Sequence, residues 1–206
     1  MKVLILNGSS HLKGCTYTAL EEIGKTLNEN GVEYEIFQIG SKTIRDCIAC
    51  GKCSGNGCIF SDDLVNEFCK KAKEADAFVF GTPVYYAHPS GRILSFLDRC
   101  FYSSKSAFEF KPGCAIASAR RAGTVASFDV LNKYFTICSM PVVSANYWNN
   151  VHGSNSDEVV KDLEGMQIMR NLGTNMSWLL KCIDCGKNAG IDTPKTESTY
   201  RTNFIR

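Results

Sequence analysis

The sequence predicts a doubly wound α/β fold, in which a five-stranded parallel sheet is covered by helices on both faces. Short apolar runs recur along the 206 residues and alternate with longer segments of helical periodicity. Turns rich in glycine, proline or serine follow several of these runs. Because parallel neighbours require right-handed crossover connections, the alternation favours this fold over a sandwich or a bundle.

The first half of this alternation is clear in the sequence. Residues 2–7, "KVLILN", form the continuous apolar run expected of a strand buried on both faces. Residues 16–31 carry apolar residues at helical spacing and end at a glycine, which predicts the first helix. Residues 33–39 alternate like a second strand, and a cysteine-rich loop follows at 40–60.

The second half repeats the pattern. Cap-type residues open a helix at 61–76, and an apolar run ending in "GTP" predicts a third strand at 77–82. By the same patterns we expect helices at 91–103 and 124–138, strands at 113–119 and 141–146, and a helical segment at 157–188. The sequence contains no repeat or linker that would divide residues 1–206 into more than one domain.

The composition argues against several classes of function. Apolar residues make up 44% and charged residues 21%, and the net charge is +2, so we expect neither nucleic acid nor a membrane as partner. The start "MKVLILNGSS" lacks the features of a signal peptide. We therefore expect a cytoplasmic protein that binds small molecules, in which clustered thiols are metal ligands or redox groups more often than disulfides.

Three turns follow strands at the edge where ligands of doubly wound sheets bind. The first, "NGSSHLKGCT" at 7–16, has small residues and hydroxyls that suit an anion held at a helix N-terminus. It is neither a Walker A loop nor a G-x-G-x-x-G fingerprint, and an ordinary turn with a threonine cap is the alternative. The others are "GTPVYYAHPSG" at 81–91 and "SARRAGT" at 118–124.

These turns resemble the flavin-binding loops of the flavodoxin-like NAD(P)H-dependent FMN reductases. Against that family's G-S-P-R-x-x-G-N-T loop, Ser10 stands for Pro, His11 for Arg and Cys15 for Asn. The P-V-Y-[FY] turn of the family is present as Pro83–Tyr86. The resemblance covers nearly the whole chain and implies the sheet order 2-1-3-4-5. It implies FMN contacts at Ser9, His11, Cys15, Thr16, Pro83, Val84, Tyr85, Tyr86, Ser118, Arg120, Arg121 and Gly123.

The cysteine-rich loop carries thiols with the spacing C-x2-C-x2-C-x4-C, at Cys47, Cys50, Cys53 and Cys58. Four thiolates at short, glycine-rich intervals are able to converge on a cubane cluster. The spacing is similar to the compact motif of iron–sulfur flavoproteins, a branch of the same superfamily, which implies a [4Fe–4S] cluster. A zinc site and free or redox-active thiols are the alternatives.

The leading hypothesis is an FMN-dependent oxidoreductase that transfers hydride from NAD(P)H to flavin and on to a flavin, quinone or other small acceptor. No catalytic side chain is required, because flavin N5 carries the chemistry. The alternative is an electron carrier that exchanges electrons with a ferredoxin-like protein, and a flavin or metal sensor is a third possibility. The family also implies a homodimer or tetramer.

Other predictions concern structural residues. We expect Asp98 and Arg99 to form a structural pair. Trp148 and the pair Cys182 and Cys185 are expected to pack in the interior. The remaining cysteines in apolar patterns are expected to be inert core residues: Cys69, Cys100, Cys114 and Cys138.

Overall fold

The computed structural model describes residues 1–53, 55 and 57–205. Within them the strands are β1 (Lys2–Asn7), β2 (Glu33–Gln38), β3 (Ala77–Tyr85), β4 (His88–Pro89), β5 (Gly113–Ala119) and β6 (Asn150–His152). The helices are α1 (Cys15–Glu29), α2 (Val65–Glu74), α3 (Gly91–Ser104), α4 (Thr124–Ile137), α5 (Ser156–Val159) and α6 (Leu163–Asn188). A 3-10 turn follows α3 at Lys105–Ala107.

The sheet has the order β2-β1-β3-β5-β6, and every neighbouring pair along this path is parallel. The short β4 pairs only with β3, in an antiparallel hairpin. Apart from this hairpin, the order is the predicted 2-1-3-4-5. The flavodoxin-like doubly wound fold is therefore confirmed, with one additional short strand.

The predicted position of the last strand is wrong. Residues 141–146 form an isolated bridge, Val142 opposite Gly113, and no strand, and the paired strand is β6, with Ala117 opposite Asn150. Beyond the bridge, the segment hydrogen-bonds to α6, whose Asn175 side chain donates to the Ser144 carbonyl at 2.7 Å. The chain rejoins the sheet near the carboxyl end of β5, where it lines a cavity.

The core has two layers, because alternate strand residues face opposite sides of the sheet. Leu4, Leu6 and Phe80 face α2, α3 and α4 and pack in a phenylalanine-rich cluster. Val3 and Ile5 face α1 and α6. Both faces of the central strands are thus buried, as "KVLILN" predicts.

The C-terminal helical segment is not continuous. It begins as α5 and breaks after Val160, and Asp162 then caps α6 by accepting a hydrogen bond from the Gly165 N–H at 2.9 Å. Among the described residues, no helix combines the length and the apolar character needed to cross a bilayer.

Candidate functional site

A cavity of about 610 Å³ opens at the carboxyl ends of β1, β3, β5 and β6. Its volume lies in the range of sites for small molecules and cofactors. Its wall is made by the loops that follow these strands: Ser9, His11, Leu12, Lys13, Gly14, Cys15, Thr16, Pro83, Val84, Tyr85, Ser118, Ala119, Arg120, Gly153, Ser154, Asn155 and Ser156. The three turns singled out in the sequence therefore converge on one cavity.

The loop after β1 is held by its own polar atoms. The Ser9 N–H donates to Asn7 Oδ1 at 3.1 Å, and the His11 N–H donates to Ser9 Oγ at 3.1 Å. At Gly8 the backbone N–H donates to the Gly81 carbonyl at 2.8 Å. A β-carbon at Gly8 would lie only 2.8 Å from that same carbonyl oxygen, so glycine is required where the loop crosses β3.

The first turn of α1 faces this cavity with its backbone N–H groups lacking a side-chain cap. Gly14 is the N-cap residue, and the first turn contains no acidic side chain. The helices α3 and α6 are capped by Ser90 and Asp162, whereas α2 and α4, like α1, have no side-chain cap. An uncapped helix N-terminus leaves donors and a positive partial charge for an anion. The donor set therefore fits a phosphate group.

Side chains at the bottom of the cavity join α1 to β5. Thr16 Oγ1 lies 2.8 Å from Ser118 Oγ, and both residues are buried. The Cys15 thiol donates to the Gly153 carbonyl at 3.5 Å. Burial raises the pKa of Cys15, so this thiol stays protonated at neutral pH. These contacts fix the loops after β1, β5 and β6 relative to one another.

The turn after β3 is a tight hairpin with a strained backbone. Val84 pairs with Pro89 and Tyr85 with His88, leaving Tyr86 and Ala87 as the connecting residues. Their φ angles are 50° and 59°. Two positive φ values indicate a type I′ turn, which usually carries asparagine or glycine. Backbone strain of this kind is common at ligand-binding sites. The Tyr86 side chain, at the tip of the turn, is fully exposed at the rim of the cavity.

Most of the predicted flavin contacts line the cavity, whereas Tyr86, Arg121 and Gly123 lie outside its wall. Gly123 has φ +89°, and a β-carbon there would lie 2.5 Å from Ala87 Cα. Its position allows the start of α4 to pack against the β3–β4 hairpin. Gly123 thus positions the hairpin that forms one side of the cavity.

The segment after β6 is the part of the wall that sequence reasoning missed. Gly153, Ser154 and Asn155 line the cavity, and Asn155 caps α5 by accepting from the Glu158 N–H at 2.9 Å. The Asn-x-x-Glu spacing signals a helix start in the sequence. A last strand at 141–146, as the apolar pattern predicts, does not put this turn at a strand end.

A second cavity, of about 240 Å³, is formed by the cysteine-rich loop against α3. Its wall includes all four cysteines of the motif: Cys47, Cys50, Cys53 and Cys58. Positive φ angles at Ala49 and Gly51 turn the backbone around it. Burial and then the charges of Cys58, Cys50 and Cys47 raise the pKa of Cys53. The four thiols therefore face one small cavity.

The guanidinium of Arg99 also lines the cysteine cavity, and its partners differ from the predicted ones. Arg99 forms a bidentate ion pair with Asp63, in which both side chains are buried. Asp98 instead accepts from the Tyr134 hydroxyl at 2.5 Å. The expected Asp98–Arg99 pair is therefore wrong, because adjacent helical side chains point in different directions.

Burial disfavours the charge on Arg99, but hydrogen bonds to Asp63 and Cys58 outweigh it and raise the arginine pKa. The guanidinium is thus a permanent cation beside the thiols. No signal in the sequence joins Arg99 to Cys58, which lies 41 positions earlier in the chain.

The other predictions for structural residues had mixed outcomes. Cys69, Cys100, Cys114 and Cys138 are buried, as expected of core residues. Cys182 and Cys185 are exposed, because α6 turns that face to solvent after Leu180. Trp148 is 54% exposed rather than buried and lies beside Tyr147, with ring centroids 5.7 Å apart.

Comparison with known proteins identifies the family. The model of the NADPH-dependent FMN reductases matches residues 1–155. The chain belongs to this family. An iron–sulfur flavoprotein of Methanocaldococcus jannaschii is 31% identical over 193 residues, covering 89% of this chain and 99% of that protein. The resemblance to the superfamily and its iron–sulfur flavoprotein branch is confirmed.

Solved structures agree on the fold. An archaeal flavodoxin superposes with a TM-score of 0.61 at 16% identity, covering 88% of this chain and 99% of the other. The apo form of an NADH:FMN oxidoreductase superposes with a TM-score of 0.63 at 16% identity, covering 86% and 89%. Family membership supports FMN as the cofactor and an oxidoreductase as the class of activity.

Proposed function

We propose that this member of the FMN reductase family binds FMN in the cavity at the carboxyl ends of β1, β3 and β5 and oxidises NAD(P)H there. The observation that carries the proposal is the uncapped N-terminus of α1, which opens into a cavity formed by the predicted loops. When bound, FMN supplies the hydride-accepting chemistry, and the protein binds and orients it.

The phosphate end of the ligand is assigned to the first turn of α1 and the loop before it. Backbone N–H groups there, together with the hydroxyls of Ser9 and Thr16, would donate to phosphate oxygens. His11 stands where the family has arginine, so the phosphate lacks a bidentate guanidinium partner. This substitution predicts weaker FMN binding than an arginine would give.

The ring end is assigned to Pro83, Val84 and Tyr85 on one side and to the end of β5 on the other. The half-exposed Tyr85 offers an aromatic face against the ring. Arg120 lines the cavity and Arg121 does not, so Arg120 is the better candidate for stabilising negative charge on the reduced ring. The exposed Tyr86 lies at the rim, where it would contact the nicotinamide or a partner molecule.

We further propose that Cys47, Cys50, Cys53 and Cys58 hold a [4Fe–4S] cluster. The supporting observation is that all four line one cavity and that Arg99 provides a cation beside them. Among the described residues no group of three His, Cys, Asp or Glu side chains is gathered for a single metal ion. Four cysteine thiolates are the usual ligand set of a [4Fe–4S] cluster, and the spacing C-x2-C-x2-C-x4-C lacks the two separate C-x2-C pairs of structural zinc sites.

The second candidate function, that of an electron carrier, depends on the proposed cluster. An electron carrier would exchange electrons with a ferredoxin-like protein through the cysteine cavity and would have no need of NAD(P)H. A homodimer or tetramer stays a prediction for either function.

Anaerobic reduction of the purified, flavin-loaded protein separates the two functions. Mixed with NADPH or NADH, the oxidoreductase is expected to lose its flavin absorbance within its turnover time and to recover it with a quinone or free flavin. The electron carrier is expected to be reduced by dithionite or reduced ferredoxin but by neither nucleotide. Arg120→Gln and Arg121→Gln form a matched pair, of which only Arg120→Gln is expected to slow reduction.

A further inference from the structure

The side chain of Arg99 is buried in the wall of the cysteine cavity, with an exposed fraction of 1%. An arginine has five N–H donors in a rigid fork. Those of Arg99 serve Asp63, two backbone carbonyls and one sulfur. Because a buried ionic group is costly unless fully paired, this complete set of acceptors keeps the guanidinium charged inside the cavity wall.

The two carbonyl contacts bracket the cysteine motif. One terminal nitrogen donates to the carbonyl of Arg45 at 3.3 Å, and the other donates to the carbonyl of Phe60 at 3.4 Å. These residues lie just before Cys47 and just after Cys58. Arg99 is itself on α3, which packs on the sheet, so a fixed helix holds both ends of the loop.

The remaining contact is made to a predicted cluster ligand. The Nε–H of Arg99 donates to Cys58 Sγ at 3.2 Å. Hydrogen bonds and positive charge at a ligating sulfur stabilise the more negative, reduced state of an iron–sulfur cluster and so raise its reduction potential. Asp63 opposes this effect, because its carboxylate neutralises much of the arginine charge.

We propose that Arg99 is a positioning residue of the cysteine site that holds both ends of the loop and sets the reduction potential of the cluster through Cys58. The inference rests on the proposed function, since it requires that the cysteines hold a [4Fe–4S] cluster. The carboxylate of Asp63 lowers the reduction potential below the value that an unpaired arginine would give.

Three variants test this inference by redox titration of the anaerobically reconstituted protein, followed by electron paramagnetic resonance. Arg99→Lys keeps a positive charge that can pair with Asp63, but it removes the planar guanidinium donors, including the Nε–H that binds Cys58. We expect the equilibrium constant for one-electron reduction of the cluster to fall about tenfold, a shift of ~59 mV. Asp63→Asn keeps an acceptor for the Val65 N–H, which Asp63 Oδ1 now binds at 3.2 Å, and is expected to raise the potential.

Arg45→Lys is the matched control. Arg45 also stacks on the Phe60 ring, 4.9 Å from its centroid, but its guanidinium pairs with the exposed Asp62. Its substitution is expected to leave the cluster potential unchanged. The flavin potential serves as an internal control in every variant.

The outcomes distinguish a failure of the role proposed for Arg99 from a failure of the cluster proposal. If wild-type protein takes up no iron and sulfide, the cluster proposal fails. If it carries a cluster and Arg99→Lys has the wild-type potential, or Asp63→Asn does not raise it, the role of Arg99 is overturned. Should Arg99→Lys fail to hold a cluster, Asp63→Asn still decides the effect on the potential.

The role in holding the loop has a readout that needs no metal. In metal-free protein, trypsin is expected to cleave after Lys52 faster in Arg99→Lys than in wild type, and at the wild-type rate in Arg45→Lys. Equal rates in all three proteins would overturn the contribution of Arg99 to loop structure.

Discussion

The proposed flavin cavity, at the carboxyl ends of β1, β3, β5 and β6, and the cysteine cavity, formed by the loop after β2, are built in different ways. The flavin cavity is formed by short loops that leave parallel strands, so the sheet itself places its backbone donors. The cysteine cavity is formed by one long loop after β2, and a side chain from α3 holds that loop. Where backbone atoms form a site, one substitution disturbs only some of its contacts. Where a few side chains form it, replacing one of them removes a large part of the site.

The largest effect of a substitution is expected at the cysteines of the cysteine cavity. Cys50→Ser removes a thiolate from a four-thiolate site, and serine is a poor ligand for iron. Iron and acid-labile sulfide per chain are expected to fall about tenfold, while FMN content stays at the wild-type level. Cys182→Ser, on the exposed face of α6, is the control and should change neither. Parallel loss of FMN in Cys50→Ser would show that the two cavities are not independent.

A smaller effect is expected at Gly123. An alanine there must adopt φ near +89° and approach the Ala87 backbone at 2.5 Å, so the hairpin must move. We expect a loss of about 1–3 kcal/mol in the free energy of unfolding and weaker FMN binding. Denaturant unfolding measures the loss of stability, and flavin fluorescence titration measures FMN binding. Gly91→Ala has no neighbour within 4 Å and no positive φ, and should leave both unchanged or slightly improved.

The Thr16–Ser118 contact tests how much one side-chain bond adds to a site placed by backbone. Thr16→Val keeps the shape but leaves the buried Ser118 hydroxyl without this partner. We expect FMN affinity to fall by about 1–2 kcal/mol, or roughly tenfold, with cluster content unchanged. Adding Ser118→Ala should cost less than the sum of the single substitutions, since the two residues share one bond. A strictly additive result would contradict this account.

The smallest effect is expected at Glu35 of β2, whose partly buried carboxylate pairs with Lys2 and Lys71 and lines neither cavity. Hydrogen bonds from Lys2 and then Lys71, at 2.6 and 2.8 Å, lower its pKa. A lowered folded-state pKa stabilises the fold above the ordinary pKa of glutamate, and this contribution is lost as the pH falls through the folded value. Because the pair is solvated, Glu35→Gln should cost less than about 1 kcal/mol at pH 7 and nothing near pH 2. Unfolding curves at the two pH values measure the difference.

The contrast between the cavities also explains what could be predicted from the sequence. Apolar runs such as 2–7 and 113–119 fixed the strands, and parallel pairing then brought their carboxyl ends together. That geometry predicted the loops after β1, β3 and β5, the resemblance to the FMN reductases implied their flavin contacts, and the loop after β6 was missed. The placement of β6 failed because residues 141–146 have the composition of a strand, although they form only an isolated bridge to β5 and then hydrogen-bond to asparagines of α6.

The cysteine site could be predicted only in part. Spacing identified its four thiols, since they are near neighbours in the chain. Arg99 and Asp63 could not be linked to them, because helix packing rather than local sequence brings α3 and the start of α2 to the loop. Contacts between distant side chains leave no periodic pattern in a single sequence.

The central claim is that the loops after β1, β3 and β5 bind FMN while the cysteine loop holds an iron–sulfur cluster. Anaerobic purification followed by absorption spectroscopy and assays of flavin, iron and acid-labile sulfide tests both parts at once. The account predicts about one FMN and about four irons and four sulfides per chain after reconstitution. A colourless protein that binds neither FMN nor iron under these conditions would contradict it.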